Sequence, residues 1–263
     1  MMRRWVIAGS TVGALLALLT QAPAHWLAQG LHRASQGHLQ LAETRGTVWD
    51  GSGLLVLGGG AGSRDASVLP DRLEWRLGLQ GLGVALKLRQ ACCIKGELGL
   101  LLKSESGRLS LSLPHQAAAG DWLARFPAAW LGGLGTPWNT LQLGGGLRLS
   151  ARDFSLDWTQ GRWQPRGQLD LDFINLSSRV ATLAPLGSYR FSLIAPLGQA
   201  GPASLQLSTL EGALLLSGQG SLGPTRLRFQ GEARAAPERE IALNNLLNII
   251  GRREGARSLI SIG

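Results

Sequence analysis

Leu73-Glu74-Trp75-Arg76-Leu77-Gly78-Leu79-Gln80-Gly81-Leu82-Gly83-Val84-Ala85-Leu86-Lys87-Leu88 decides the fold. Leu73, Trp75, Leu77 and Leu79 alternate with polar or small residues. Leu82, Val84, Leu86 and Leu88 do the same after a glycine-bounded break. A period of two sends successive side chains to opposite faces of a strand, so each run predicts one dry face and one wet face. Glycine between the runs is what a hairpin requires.

The same rhythm continues along the chain. It recurs at Leu98, Leu100 and Leu102, at Leu109, Leu111 and Leu113, and at Leu147 and Leu149. Phe154, Leu156 and Trp158 carry it on, followed by Leu169, Leu171 and Phe173. Leu205 and Leu207, Leu214 and Leu216, and Leu227 and Phe229 complete the series, and Ser258–Ile262 alternates as a short last strand. Asp50-Gly51, flanked by Val48-Trp49 and Leu54–Leu57, predicts a two-residue turn, and Gly161, between Trp158 and Trp163, marks another. Strict alternation is the signature of antiparallel sheet with one face in water. Leucine, not valine or isoleucine, dominates the dry face, and many glycines lie in or beside the runs, where they allow sharp bends. The expectation is a mainly β domain: a highly curved antiparallel sheet folded around its own leucine face, as an open groove or partial barrel.

Two segments break the rhythm and predict covering helices. Ala117–Leu131 places Trp122, Leu123, Phe126 and Trp130 on one side, with Pro127 bending or splitting the helix. Pro237–Ile250 places Leu243, Leu246, Leu247 and Ile250 at i, i+3, i+4 and i+7. Pro237 suits a first turn, Glu238 and Glu240 face the positive end of the dipole, and Gly251 closes the helix. Arg179–Leu186 carries a weaker signal for one further helical turn.

The N-terminus opens Met1-Met2-Arg3-Arg4 and then carries no formal charge from Trp5 to Leu31. Trp5 and Trp26 are separated along a helix by ~31 Å, close to the ~30 Å hydrocarbon core of a bilayer. Tryptophans at both ends match an aromatic belt, and two arginines on the near side predict a cytoplasmic N-terminus. A cleaved signal peptide competes with this, since Ala22-Pro23-Ala24 fits a small-residue cleavage site. The uncleaved anchor is the preferred reading: residues 1–32 form a cytoplasmic tip and transmembrane signal anchor in the inner membrane. Residues 33–263 follow as a single periplasmic β-rich domain, with no Pro/Ser-rich linker or charge block dividing them.

Twenty-six Lys and Arg against 17 Asp and Glu give a net charge of +9, and lysine occurs only at Lys87, Lys95 and Lys103. A basic exported domain beside a membrane is drawn to anionic headgroups or acidic partners. Nucleic acid is not an expected partner, because no binding motif accompanies the charge. The two cysteines are adjacent, Cys92-Cys93. Neighbouring Cα atoms lie ~3.8 Å apart, below the ~4.4 Å of ordinary disulfides, so the expectation is one buried and one exposed thiol on a strand. A bridge between chains or a vicinal bridge is the lesser alternative.

The motifs of catalysis are missing. Gly218-Gln219-Gly220-Ser221-Leu222-Gly223 spells a dinucleotide fingerprint, but Pro224 and an alternating run follow where a helix should begin, so it reads as a hairpin. His25, His32, His38 and His115 have no ligand spacing beside a carboxylate. Asp170 and Asp172 share a polar strand face and read as solvated; Asp50 reads as turn chemistry and Trp49 as core packing. No nucleophile–base pair can be assembled, so neither catalysis nor a cofactor or metal is expected, and a hydrolase has no support.

The wording of the chain's end goes beyond what these rules require. Leu246-Leu247-Asn248-Ile249-Ile250-Gly251-Arg252-Arg253, followed by Gly255-Ala256-Arg257-Ser258 and a final strand, closely resembles the C-terminus of the type II secretion system protein N family. Gly46-Thr47-Val48-Trp49-Asp50-Gly51 resembles that family's early tryptophan motif. Leu73–Leu77 sits where a second tryptophan-centred strand is expected, and Leu210–Gly220 is also similar. The resemblance implies an accessory role in carrying folded proteins across the outer membrane, with other inner-membrane and periplasmic components as partners. At a looser level, a curved sheet with a leucine-lined concave face resembles the AsmA-like envelope proteins associated with lipid handling, which implies a groove for an acyl chain. Arg252, Arg253 and Arg257 have two readings: charge complementing a helix C-terminus, or a docking patch for an acidic partner or lipid headgroups.

Overall fold

A computed structural model of the chain describes residues 20–105, 107–113, 122–159, 161–195, 201–223 and 226–263. After helix α1 (Ala24–Ala34) come β1 (Leu39–Gly46), β2 (Asp50–Gly58), β3 (Ala66–Gln80), β4 (Gly83–Arg89), β5 (Leu98–Glu105) and β6 (Arg108–Ser112). A short strand β7 (Ala124–Pro127), a 3₁₀ segment (Ala128–Leu134) and one helical turn, α2 (Trp138–Leu141), interrupt the meander. It resumes with β8 (Leu143–Thr159), β9 (Arg162–Ser178), β10 (Gly187–Ala195), β11 (Ala203–Gly212), β12 (Leu214–Leu222) and β13 (Leu227–Ala235). Helix α3 (Glu240–Ile250), β14 (Arg252–Glu254) and β15 (Arg257–Ile262) end the chain.

All fifteen strands belong to one antiparallel sheet in the order β1-β2-β3-β4-β5-β6-β8-β9-β10-β11-β12-β13-β15-β14, with β7 on β8 beyond the end of β6. The two edges do not meet, so the sheet is open. Open sheets wider than about ten strands curl or split, and this one carries bulges that bend it between Ala42 and Arg45, Leu54 and Val56, Gly144 and Gly146, and Arg152 and Ser155. Cross-strand register keeps the leucines on one face throughout: Leu77 opposite Leu86, Leu86 opposite Leu100, Leu102 opposite Leu111 and Leu111 opposite Leu156. Beyond the bulge in β8, Leu149, Leu171, Phe191 and Leu207 form a row across four strands.

Hairpins alternate between the two ends of such a meander. The β1–β2, β3–β4, β5–β6, β8–β9, β10–β11 and β12–β13 turns lie at one end, here the tip end. The remaining connections, with the 3₁₀ segment, α2 and α3, lie at the other, the covered end. There the apolar face is dry. Leu243, Leu246 and Leu247 of α3 are buried in one cluster with Leu143, Leu147, Leu176, Tyr189, Leu214 and Ala233. Each buried leucine of this cluster contributes about 1.5–3 kcal/mol by leaving water. The Tyr189 hydroxyl donates to the Leu214 carbonyl at 3.0 Å, and burial raises the pKa of this phenol far above its ordinary value. The Ser258 hydroxyl donates to the Leu247 carbonyl and ties α3 to β15.

Several expectations change. The described part of Ala117–Leu131 is not an α-helix; residues 117–121 lie outside the described residues. Pro127 is extended (φ −65°, ψ 134°), and Ala124–Pro127 pairs with Gly146–Leu149 instead, because strand partners win over a helix that its own proline would break. Arg179–Leu186 is a turn-and-bend connection, with Leu186 buried under the 212–214 turn. Helix α3 starts at Glu240, not Pro237, since Glu238 is left-handed (φ 64°) and the Arg239 N–H closes a turn on Ala236 at 3.1 Å. Besides β7, strands β1, β10 and β14 fall outside the runs named from sequence, although Tyr189, Phe191 and Leu193 of β10 carry the same alternation.

Cys92 and Cys93 are joined by a vicinal disulfide. They sit in a turn closed by Gln90, whose carbonyl accepts from the Cys93 and Ile94 N–H groups at 3.3 and 3.2 Å. On a strand consecutive side chains diverge, whereas a turn brings the two sulfurs together. Trp26 belongs to α1, which packs on β1; Pro23 breaks the chain before it and bridges Thr47. A continuous helix from Trp5 to Trp26 therefore does not form. Residues 1–19, which hold most of the expected anchor, lie outside the described residues, and no described helix is long and apolar enough to cross a membrane.

Leu247 is fully buried. We expect Leu247→Asp to cost several kcal/mol, since an unpaired charge in a dry site is poorly tolerated, and to lower the melting temperature of the purified protein. An unchanged melting temperature would remove α3 from the core.

Candidate functional site: an apolar face open at the tip end

The apolar face is covered unevenly. Helix α3 packs on β13, β14 and β15, the 3₁₀ segment on β2, β3 and β8, and α1 on β1 and β2. Among the described residues no helix packs on β4, β5 or β6. Leu86, Leu100, Leu102, Leu111 and Leu156 are half-buried. Leu193 and Leu169 continue this half-buried zone toward the tips, opposite each other in register. The result is a trough of leucine rows, dry at the covered end and open toward the tips. Such a surface can hold an apolar chain. Among the described residues no three His, Cys, Asp or Glu side chains are grouped to hold a metal ion.

The opposite face is a network of paired charges. Asp170 and Asp172 are buried, not solvated. Arg190 grips Asp172 with two hydrogen bonds of 2.7 and 2.9 Å, and the Asp172 partnership raises the arginine's pKa. Asp170 accepts from the Ser192 hydroxyl at 2.6 Å and from Gln168 at 3.0 and 2.9 Å. Arg166 holds buried Asp157 at 3.1 Å. Long polar side chains on neighbouring strands bury these carboxylates, which local alternation cannot foresee. A second group lines a cavity of about 380 Å³ over β2–β5. Lys87 and Arg89 reach Glu97 at 3.0 and 2.8 Å, and the Lys87 hydrogen bond holds this carboxyl below its ordinary range. Asp157, Asp172 and Glu97 each have a basic partner, the geometry of structural ion pairs.

The two tryptophan motifs meet. Trp75 is 3% exposed, and its indole N–H donates to the Thr47 and Val48 carbonyls at 3.2 and 3.1 Å. Its ring lies against Gly51, where an added Cβ would sit 2.6 Å from Trp75 Cζ2 and 2.6 Å from the Arg45 carbonyl oxygen. Gly46 is left-handed (φ 85°). The turn is Thr47–Asp50, earlier than the Asp50-Gly51 dipeptide suggests. Thr47 Oγ1 organises it by accepting from the Trp49 and Asp50 N–H groups at 3.2 and 3.1 Å. Asp50 serves mainly through Arg76, 3.0 Å away. Trp49 is not core: it is 39% exposed. The motif is thus a seat for Trp75.

The arginines expected to bind partners stand on the neighbouring strands β14 and β15, and two of them share the Glu254 carboxylate. Arg252 is exposed on edge strand β14 and pairs with Glu254 at 2.8 Å. Arg253 is half-buried, with its Nη1 buried and unpartnered. Arg257 pairs with Glu232 and Glu254 at 3.5 and 3.6 Å.

These features define a class: a large open antiparallel sheet with one apolar and one ion-paired face, helices covering one end. The family model for type II secretion system (T2SS), protein N, matches residues 37–260, and the chain belongs to that family. No curated protein and no solved structure matches it.

The seat for Trp75 has no room for a methyl group. We expect Gly51→Ala to destabilise by about 1–3 kcal/mol through overpacking, read as a lower midpoint of urea unfolding, with the Trp75 fluorescence band shifted. A neutral effect would show that the turn yields freely.

Proposed function

We propose that this chain is a non-enzymatic accessory subunit of the type II secretion machinery, held in the inner membrane by its N-terminal segment, with its sheet domain in the periplasm. The observation that carries this reading is the family match over residues 37–260. The sheet supports a role in binding and positioning, since it offers extended surfaces and no reactive constellation. Its partners are other inner-membrane and periplasmic components of the machinery, together with inner-membrane lipid. The three-residue edge strand β14, with exposed Arg252, is the accessible side of the arginine cluster for an acidic partner. In a deletion strain, exoproteins should fail to reach the medium, and the wild-type gene should restore them. Arg252→Glu should leave the fold intact and weaken crosslinks to other secretion subunits in the native envelope. Normal secretion in the deletion strain, with no crosslinks, would sink the proposal.

One observation favours a second reading: the half-buried leucine rows over β4–β6 lack a covering helix among the described residues. They could hold an acyl chain, at ~0.8 kcal/mol per buried methylene. Native mass spectrometry should then show stoichiometric lipid on the purified protein, lost in a Leu100→Asp/Leu102→Asp variant. Protein free of lipid when extracted from its own membranes would dismiss this reading.

A further inference from the structure

The tip end of the sheet differs from the covered end in both polarity and charge. The β3–β4 hairpin raises Leu79 and Leu82 into solvent, 84% and 99% exposed. Leu227, at the start of β13, and Ile262, at the end of β15, are exposed at the same end, several strands away. An isolated hairpin gains nothing by placing two leucines at its tip. Exposed apolar residues do occur at the covered end, for example Ile241 on α3, but there they stand among acids and bases of both signs, such as Asp65, Glu238, Arg239 and Glu240.

The charge at the tips is mostly basic. By sequence the tip turns hold Arg108, Arg162, Arg226 and Arg228 against Asp50 and Glu105, and just below them Lys103 stands level with Asp157, which Arg166 holds. The five bases are exposed, and Asp50 is already taken by Arg76. Exposed leucines between arginines suit a phospholipid surface, where apolar tips enter the interface and basic side chains meet phosphates.

The path of the chain places that surface. The uncharged stretch from Trp5 reaches the described structure at Ala22 and Pro23. There the Ala22 carbonyl accepts from the Val48 N–H at 2.8 Å, and Pro23 bridges Thr47. Both contacts lie on the β1–β2 turn, at the tip end. Helix α1 then carries the chain away along β1, so that β1 starts at the covered end. The apolar stretch therefore arrives where the tips are, beside Trp49 and Trp26, two amphipathic indoles of the kind found at membrane interfaces.

We infer that the hairpin tips form a rim that seats on the periplasmic surface of the bilayer, an anionic phospholipid surface, around the point where the N-terminal segment leaves it. Leu79, Leu82, Leu227 and Ile262 enter the interface, and Arg108, Arg162, Arg226 and Arg228 lie at the level of the phosphates. The open end of the leucine trough then faces the membrane, and α3 with the β14 edge points into the periplasm. This rests on the membrane-anchored reading above.

The test uses the full-length protein reconstituted in phosphatidylglycerol–phosphatidylcholine vesicles. An environment-sensitive fluorophore is placed at Leu82→Cys, Leu227→Cys or, at the covered end, Ile241→Cys; all three positions are exposed, and the bridged Cys92 and Cys93 do not compete for the label. We expect blue-shifted emission at positions 82 and 227, with most of it lost when brominated lipid is included, and aqueous, unquenched emission at 241. Protein retained through a high-salt and carbonate wash, but with positions 82 and 227 as unquenched as 241, would overturn the rim alone. Quenching at 241 equal to that at 82 would do the same. Release of the protein by the wash would overturn the anchored reading and the rim with it.

Discussion

A sheet of fifteen strands with one continuous apolar face has to cover that face without a second sheet to do it. Most strands contribute leucines to the same side, and register carries them from strand to strand. Among the described residues, cover comes from curling and from a few short segments: α3, the 3₁₀ turn with α2 packed on it, and α1 beside β1. The rest of the architecture follows from this shortage of cover. The dense core lies at the covered end, and its small partners matter as much as its leucines. Gly133 is packed so closely under β2 and β3 that an added Cβ would lie 2.2 Å from the Leu57 carbonyl oxygen. Gly251 would meet the Leu259 carbonyl at 2.4 Å, so the return from α3 to the sheet requires the missing side chain.

The polar face solves the complementary problem. A wide sheet that curls crowds some polar rows together, and carboxylates there lose water. Arginine and hydroxyl donors from the adjacent strands satisfy the oxygens of Asp157, Asp170 and Asp172. Breaking such a pair leaves a buried charge without a partner, so these contacts hold the register of β8, β9 and β10 even where their net contribution to stability is small.

The two ends of the molecule therefore present different surfaces. The covered end is a packed, charged, conventional surface ending in a short edge strand. The tip end is open, basic and studded with leucine. A chain that enters at the tips and places its helices at the far end has a built-in polarity, and its apolar trough shares that polarity.

Period-two leucines were enough to read the strands, the antiparallel sheet and the single apolar face, because alternation is a local property of the backbone. The Leu243–Ile250 stripe was legible for the same reason, and the wording around Gly251 and Arg257 carried the family. Local pattern misled where distant strands supplied the deciding partner. Ala124–Pro127 became a strand because β8 offered it hydrogen bonds, and Asp170 and Asp172 became buried because Arg190 and Ser192 arrived from β10. Trp75 displaced Trp49 as the core residue because Gly51 left room for its ring, and Cys92 and Cys93 met because their segment turned. The sequence by itself determined which residues face which side of the sheet. Only the tertiary structure decided which part of the apolar side is covered, since that depends on where the connecting segments fall at the two ends, and no run of neighbouring residues encodes it.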